Sequence, residues 1–412
     1  MKRPSGISGE TAAAKKVRVE FTAASDVDDG RHVPNKYDDS KSPPEWETKI
    51  VPQIKSMIKE AIDASTRELE HGSLYTGDCG LAAVMLLISE SKVEMDIKLE
   101  DALKLCEASD KIISSRRVTF IEGSSGAQAL MAVINHKLEI EANRDLSVFQ
   151  CLQIAHRASR LDRKECEVLY GRAGYLYSIL YLRAALNNPK IGIGKVDKIV
   201  KQIVKEGIKG SKNNPEKGFP LYFEWHQKCY LGAAHGLAGI FKILLHFPEE
   251  MKKLKADGKL KEGIDHLLSL KFPSGNMPSS YGKYRDVCVH WCHGAAGFVP
   301  LCLLAHKVYA DEGYLKHAKL FGDVVWIRGL LAEKAHGLCH SAAGNAMAFL
   351  SLYRHTGDEL WLRRAQYFAR YVLKNFGKLA EKTDKPHSLF TGVLGAALFF
   401  IGVLKPESSF FI

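Results

Sequence analysis

The sequence predicts an all-α protein, an α/α toroid in which seven helix pairs form two concentric rings. The main observation is a step of the form small-x-x-Gly, which occurs seven times at intervals of 46 to 65 residues. Each interval has room for two helices and their loops. The seven steps are Gly77–Gly80, Gly123–Gly126, Gly171–Gly174, Gly236–Gly239, Gly294–Gly297, Ser341–Gly344 and Gly392–Gly395.

The second observation is a contrast in charge between the two halves of each repeat. The run after each step is almost free of charge, as in Leu81–Ile88 and Ala396–Leu404. The segments between the runs are amphipathic, as in Leu99–Leu105 and Leu360–Leu373. We therefore expect one helix of each repeat to be buried on all sides and the other to have a solvent face. No polar terminal repeat is evident, so the ring is predicted to be closed.

Composition limits the class of protein and its domain organisation. The chain has 412 residues, 46% of them hydrophobic and 25% charged, which excludes collagen, coiled coil and wholesale disorder. Residues 1–44 are rich in small and polar residues and end in Ser-Pro-Pro, which predicts a flexible N-terminal tail. Residues 45–412 are predicted to form a single toroid domain.

The net charge of +11 favours anionic ligands such as phosphorylated peptides. Residues 1–40 carry seven basic and seven acidic side chains, so the excess lies in the folded body. No nucleic-acid-binding motif occurs, and we expect no nucleic-acid partner.

The cysteines and the N-terminus indicate the compartment. Nine scattered cysteines and the absence of an apolar signal segment predict reduced thiols in the cytoplasm. Lys2-Arg3 and Lys15–Arg18 resemble a split nuclear-localisation signal, which leaves a nuclear location open. Val287–His306 and His387–Leu404 lack charged residues. Their histidines, proline and glycines favour buried helices, so no transmembrane segment is predicted; peripheral membrane contact stays open.

The repeat register predicts a metal site. The residues just before the seven steps are Thr76, Glu122, Tyr170, His235, His293, His340 and Thr391. One position earlier, two adjacent repeats carry Cys292 and Cys339. Equivalent positions of adjacent repeats are neighbours around the ring. The pairs Cys292-His293 and Cys339-His340 should therefore face one cavity beside His235. Thiolate and imidazole ligands suit zinc, and three protein ligands would leave a position open for catalysis.

The alternative is that these side chains only pack and cap helix ends. A duplicated Cys-His at matched register favours metal over that alternative. Cys288 lies four residues before Cys292 but has no counterpart in register, and we interpret it as a core or loop cysteine. Among the rim positions only Glu122 offers a carboxylate, which favours thiol over water as the activated group.

Several longer strings carry a resemblance to a known family. They are Leu169–Gly174, Gly232–Gly239, Leu270–Asn276, Val289–Gly294 and Gly337–His340. Together they resemble the eukaryotic LanC-like proteins, relatives of the bacterial lanthionine cyclases, from about Tyr75 to the C-terminus. The resemblance implies an α/α toroid with one zinc ion held by Cys292, Cys339 and His340.

The resemblance also implies the chemistry. The eukaryotic relatives bind glutathione and add its thiolate to dehydroalanine or dehydrobutyrine residues, which form in proteins where phosphate has been lost. Such an enzyme would use His235 as the general acid that protonates Cα. Lys334 would stabilise the enolate oxygen or steer a glutathione carboxylate.

Four further residues are expected to bind substrate. Glu167 occupies the position of an acid in the bacterial cyclases, and Tyr170, Arg172 and His293 are placed around the pocket. For Arg172 a structural role at the rim is the alternative.

The sequence departs from the family pattern at Ser341, where glycine is usual, and at Thr391, where an acid is expected. Three other functions stay open: a non-catalytic glutathione- and zinc-binding signalling scaffold, a prenyltransferase-type zinc enzyme with six helix pairs, and a membrane receptor.

Overall fold

A computed structural model describes residues 31–44, 46–65, 71–91, 93–380 and 382–408. Within these ranges the protein is helical and contains no β-strand. The inner-ring helices are α2 (Asp78–Ser89), α4 (Ser124–Lys137), α6 (Arg172–Ala185), α8 (Leu237–Leu245), α11 (Ala295–Tyr309), α13 (Ala342–Thr356) and α16 (Val393–Leu404). The outer-ring helices are α1 (Glu47–Ser65), α3 (Leu99–Ile112), α5 (Glu141–Ser159), α7 (Ile193–Asn213), α10 (Asp257–Ser269), α12 (Glu312–Arg328) and α14 (Glu359–Lys374). Two short helices, α9 (Pro248–Lys253) and α15 (Phe376–Ala380), lie in connections.

The inner helices form a closed ring. Each contacts the next in chain order, and α16 contacts α2. Six pairs consist of an inner helix and the long helix that follows it, whereas the seventh pairs α16 with α1 from the other end of the chain. The predicted toroid of seven pairs is confirmed, and closure is achieved by joining the two ends of the domain. Seven pairs also differ from the six of the prenyltransferase-type alternative.

Burial follows the charge contrast seen in the sequence. Every residue of α16 from Val393 to Val403 is buried, which explains a run without charge. In α7 the buried residues are spaced three and four apart, so only one face of this helix packs on the ring. The inner ring therefore forms the core, and the outer ring separates it from solvent.

The small residue that opens each step is the N-cap of an inner helix. Most of these glycines have extended backbone, such as Gly171 at φ −100°, so space rather than left-handed geometry explains them. A Cβ on Gly126, at the end of the second step, would collide with the carbonyl oxygen of Phe120. Gly294 is the exception, with φ of 108°, a region that side chains with a Cβ avoid.

The loops that precede the inner helices are joined by main-chain hydrogen bonds between repeats. In each of these bonds the amide of the first residue donates to the carbonyl oxygen of the second. The six bonds are Tyr75 to Ile121 (3.1 Å), Phe120 to Gly174 (3.0 Å), Val168 to Ala234 (3.2 Å), Cys292 to Cys339 (3.3 Å), Cys339 to Phe390 (2.9 Å) and Phe390 to Tyr75 (3.0 Å). The last bond links the seventh repeat back to the first. These bonds fix all seven loops at one end of the ring, which we call the rim.

Residues 31–44 contact the outer ring. The amide of Val33 donates to the carbonyl of Leu330 at 2.6 Å, and Arg364 pairs with Asp39 at 2.6 Å. The rest of the predicted tail, including the basic residues at 2–3 and 15–18, lies outside the described residues. No helix in the described ranges is long and apolar enough to cross a membrane.

The close packing at the steps leads to a stability prediction. Gly126→Ala should lower the free energy of unfolding by about 2 kcal/mol or more, because a methyl group there requires the Phe120 loop to move. Gly258→Ala is the matched control, because Gly258 is at an exposed position of α10 with open space around it. This variant should be neutral or more stable by up to about 1 kcal/mol. Urea denaturation measures both, and equal stability of the two variants would contradict the packing explanation.

Candidate functional site

Three of the predicted residues form a cluster at the rim. One ligand atom from each of Cys292, Cys339 and His340 lies within 4.8 Å of the other two. Both cysteines are buried, and His340 is half-buried. The structure therefore brings together the two sulfurs that the repeat register placed side by side and His340, the histidine that the family resemblance implies as the third ligand. Two thiols and an imidazole are a donor set that fits zinc, with a fourth position left for another ligand.

The main chain explains why the sulfurs meet. The amide of Cys292 donates to the carbonyl of Cys339 at 3.3 Å, so the two loops run next to each other. Cys288 is not in the cluster, in agreement with its lack of a counterpart in register.

Hydrogen bonds favour the thiolate at one of the two sulfurs. The pKa of the Cys339 thiol is held below its usual value because Cys292 donates to this sulfur, with further contributions from His340 and Tyr75. The pKa of Cys292 is raised by the same hydrogen bond and by burial. The Cys292–Cys339 pair therefore loses its first proton, from Cys339, more readily than two isolated buried thiols would.

Tyr75 is a site residue that the sequence reasoning missed. Its hydroxyl hydrogen-bonds Cys339, and its ring stacks on Phe390 with centroids 4.8 Å apart. Burial and the neighbouring cysteine raise the pKa of Tyr75, so it is a neutral donor. A signal was present, since Tyr75 directly precedes Thr76 and so matches Cys292 and Cys339 in register.

A buried polar network holds the loop that carries Cys292. Asn276 accepts from the amide of Ala295, the first residue of α11, at 2.9 Å. Its amide nitrogen donates to Asp286 at 2.6 Å and to the carbonyl of Cys288 at 3.0 Å. Arg328, whose side chain is fully buried, bonds the Asp286 carboxylate at 2.9 Å. The string ending in Asn276 was noted in the sequence, but the contacts of Asn276 with Asp286, Cys288 and Ala295 were not predicted.

His235 and Glu167 form a second group on the rim. His235 Nδ1 lies 2.9 Å from Glu167 Oε2, and Glu167 is buried. The carboxylate also accepts from the amides of Leu169 at 2.8 Å and Tyr170 at 2.6 Å, so its position is fixed. Because a carboxylate only accepts, Nδ1 carries the proton and Nε2 is the nitrogen available to a substrate. The register argument had not placed this carboxylate beside the histidine.

Aromatic rings hold the imidazole in its plane. Trp225 stacks on His235 with centroids 4.0 Å apart and planes within 3°. Tyr170 lies 5.8 Å from the same ring, and the guanidinium of Arg117 lies 4.2 Å above Tyr170. Trp225 and Arg117 were not predicted; Trp225 belongs to the connection that makes the third interval the longest.

Glu122 is a second carboxyl group close to the His235–Glu167 pair. Burial raises its pKa, and the charge of Arg117 partly offsets that effect. A carboxyl group with a raised pKa beside the imidazole can accept or release a proton closer to neutral pH.

The remaining predicted residues take different positions. Arg172 is buried and donates to the carbonyls of Leu161, at 2.7 Å, and Asp162, at 2.8 Å, which corresponds to the structural alternative for this residue. His293 packs against Tyr230 with centroids 5.7 Å apart, and burial lowers its pKa.

Lys334 is exposed on the loop before the sixth repeat's step. Its charge reaches buried His290, whose pKa is lowered to about 3 by burial first and then by His340 and Lys334. Beside the cluster, a cavity of about 320 Å³ is lined by His340, Lys382 and Thr391, among others. Of the three residues in the metal-ligand cluster, His340 is the one that lines this cavity.

Comparison with known proteins gives consistent matches. Residues 68–412 match the family described as lanthionine synthetase C-like protein. The chain is 36% identical over 340 residues to glutathione S-transferase LANCL1 of Danio rerio, covering 82% of this chain and 83% of that protein. It is 32% identical over 371 residues to LanC-like protein GCL1 of Arabidopsis thaliana, covering 85% and 83%. The solved structure of nisin cyclase shares the fold with a TM-score of 0.64 at 14% identity, covering 85% of this chain and 93% of that one.

The donor set predicts near-stoichiometric zinc in the purified protein. Cys292→Ala or Cys339→Ala should abolish it, because two remaining ligands bind zinc far more weakly than three. Cys288→Ala is the matched control and should keep the metal. Elemental analysis after dialysis measures the zinc content, and metal retained in both ligand variants would refute the assignment.

The polar network predicts a large loss of stability when its buried cation is removed. Arg328→Met leaves the Asp286 carboxylate without its counter-charge and should cost about 3 kcal/mol of unfolding free energy. Arg116→Met removes an exposed guanidinium and should change stability by less than about 0.5 kcal/mol. Denaturant titrations compare the two variants, and similar midpoints would show that the network contributes little.

Proposed function

Because the chain belongs to the lanthionine synthetase C-like family, we propose that it is a zinc-dependent enzyme that adds glutathione to dehydroalanine and dehydrobutyrine residues of proteins. The product is a thioether. A relative named glutathione S-transferase, similar over most of both chains, supports glutathione as the thiol. The observation that carries the proposal is the cluster of Cys292, Cys339 and His340 on the same rim as the His235–Glu167 pair.

The donor set supports zinc as the cofactor. Zinc held by these residues would supply the positive charge that keeps a bound thiol deprotonated at neutral pH. The residues of the chain provide the remaining functions of the site.

The His235–Glu167 pair supplies the proton. The glutathione sulfur forms a bond to Cβ of the dehydroamino acid, the Cα–Cβ double bond becomes single, and Cα takes a proton. The thiol proton of glutathione passes to His235 Nε2, and the resulting imidazolium, which Glu167 orients and stabilises, delivers that proton to Cα. Tyr170 and Trp225 keep the imidazole oriented and exclude water from two sides of it.

The cavity beside His340 is lined by charges of both signs, Asp384 and Lys382, and Lys382 pairs with Glu333 at 3.0 Å. Lys334 lies exposed on the preceding loop, where it would attract a glutathione carboxylate or stabilise the enolate oxygen. Thr391 also lines the cavity. A carboxylate at this position, which the family pattern led us to expect, would repel the anion, so the threonine favours binding of glutathione.

The location and partners follow from the same chemistry. All nine cysteines lie in the described residues and none forms a disulfide, which fits a reducing compartment. We place the protein in the cytoplasm, with a nuclear pool as an alternative, acting on proteins that have lost phosphate.

The direct test is incubation of the zinc-loaded protein with glutathione and a dehydroalanine peptide. Mass spectrometry should detect the adduct, formed faster than in a control without protein or with chelated zinc. Absence of the adduct above background, with zinc present and glutathione bound, would instead favour the signalling scaffold.

The proposed proton donor gives a sharper test. His235→Ala should keep its zinc and lose about 10²- to 10⁴-fold in the rate of addition, because protonation of Cα loses its general acid. Unchanged turnover would remove His235 from the mechanism.

The supporting carboxylate should act through the same step. Glu167→Gln keeps the size of the side chain but presents the imidazole with an amide, and should lower kcat about tenfold or more while zinc content stays constant. A change confined to KM would indicate that Glu167 serves binding instead.

A further inference from the structure

The outward face of α7 carries a row of lysines that the proposed reaction does not use. We call this row the lysine stripe; its members are Lys198, Lys201, Lys205, Lys209 and Lys212. They are spaced three or four residues apart, so they lie on one side of the helix, opposite the residues that pack on the ring. All five lysines are exposed, and the stripe is about 21 Å long.

The stripe lacks a counter-charge within the described residues. There, no hydrogen bond or ion pair involves any of its five ammonium groups. The acids of α7 are Asp197, which lies 4.0 Å from Lys253, and Glu206, which is partly buried at the flank of the helix. Like charges three or four residues apart on a helix repel each other, so the stripe itself destabilises α7.

Another outer helix has mixed charges on its solvent face. On α3, exposed residues at the same spacing alternate in sign, as Glu100, Lys104, Glu107 and Lys111. Such alternation is typical of a helix face that contacts only water. Five lysines in succession on α7 are therefore not required for the fold, and they concentrate positive charge on one side of the ring.

The rim end of the stripe lies close to the group around His235. The amide of Tyr222 donates to the carbonyl of Gly207 at 3.0 Å, and a Cβ on Gly210 would collide with the carbonyl oxygen of Tyr222. The chain after α7 therefore runs back along the last turns of this helix. Trp225 follows Tyr222 by three residues, at most about 11 Å further on, and stacks on His235. A segment bound to the last turns of α7 would thus lie near the candidate proton donor.

Exposed arginines connect the stripe with the rim. The side chain of Gln202 on α7 donates to the carbonyl of Ser159 at 2.9 Å, which places α7 beside the rim loop of the third repeat. Arg160 and Arg163 are exposed on this loop. Residues 160–165 carry three basic and two acidic side chains, so the loop adds to the positive field of the stripe.

We propose that the lysine stripe binds an acidic segment of the protein that presents the dehydroamino acid. This inference rests on the proposed function and defines its substrate class, which is proteins with carboxylates or remaining phosphates beside the modified residue. A stripe of about 21 Å matches about six residues of an extended chain. Lysine ammonium groups attract such anions as point charges and do not require one particular sequence.

The surroundings of the stripe fit a protein segment better than a lipid surface. Basic helices that lie on membranes also insert large apolar side chains. Among the described residues of α7, Ile193 is the exposed large apolar side chain, and it lies at the end of the helix far from the rim. The stripe from Lys198 to Lys212 therefore offers charge alone, which suits a solvated acidic chain.

A fluorescently labelled hexaglutamate peptide without dehydroalanine measures docking separately from catalysis. Titration with the full chain should raise the fluorescence anisotropy of the peptide saturably, and the affinity should fall as salt is added. Labelled hexaglutamine should not bind. The variant Lys205→Gln/Lys209→Gln/Lys212→Gln should weaken binding of hexaglutamate about tenfold or more.

A matched control removes the same charge elsewhere. Lys49→Gln/Lys55→Gln/Lys59→Gln alters exposed lysines of α1, which packs on a different part of the ring, and should stay within about twofold of the wild type. No binding by the wild type, or equal losses in both triple variants, would overturn the inference. Binding of phosphatidylserine vesicles in place of the peptide, lost in the stripe variant, would overturn it in favour of a lipid surface.

The effect on addition should be confined to binding of the acidic substrate. With a dehydroalanine peptide joined to six glutamates by a short spacer, the stripe variant should raise KM about tenfold while kcat stays within about twofold. The same peptide with six glutamines should be unaffected. Equal KM values for the two peptides in the wild type would contradict docking. Binding of hexaglutamate by a wild type that modifies neither peptide would overturn the proposed function but support the stripe as a surface for acidic chains.

Discussion

The structure depends on main-chain hydrogen bonds between loops of successive repeats at the rim. The bond from Cys292 to Cys339 aligns two loops that lie 47 residues apart, and the bond from Phe390 to Tyr75 returns the last repeat to the first. Side chains at equivalent positions then lie next to each other because their backbones do. The cluster of two sulfurs and an imidazole is a consequence of this alignment.

The same alignment makes the two ends of the ring electrostatically different. All seven inner helices begin at the rim, so their positive dipole ends converge there and their negative ends meet at the opposite mouth. The positive ends favour thiolates at the cluster. Lysines and arginines at the mouth offset the negative ends.

Small residues make the alignment possible. Each inner helix starts so close to the preceding loop that a methyl group at the step would meet main-chain atoms, as at Gly126. The packing therefore leaves these loops little room to shift. Precise loop positions are what a metal site and an oriented imidazole require.

The sequence by itself determined the ring of seven helix pairs, because charge patterning and the repeated glycine step record burial and close contact directly. It also determined that Cys292 and Cys339 would meet beside two histidines, since register in a repeat fold translates into adjacency, whereas the choice of His340 over His293 came from the resemblance to the LanC-like proteins. Only the tertiary structure decided what surrounds them: Tyr75 on Cys339, Glu167 and Trp225 on His235, and the Arg328 network behind the Cys292 loop. Tyr75 matches Cys339 in register, but the other contacts join residues that share no register, and side-chain direction across a ring is set by packing that no local pattern encodes. The pairing of α16 with α1 was likewise decided by the tertiary structure, because only the closed ring brings the two ends of the domain together.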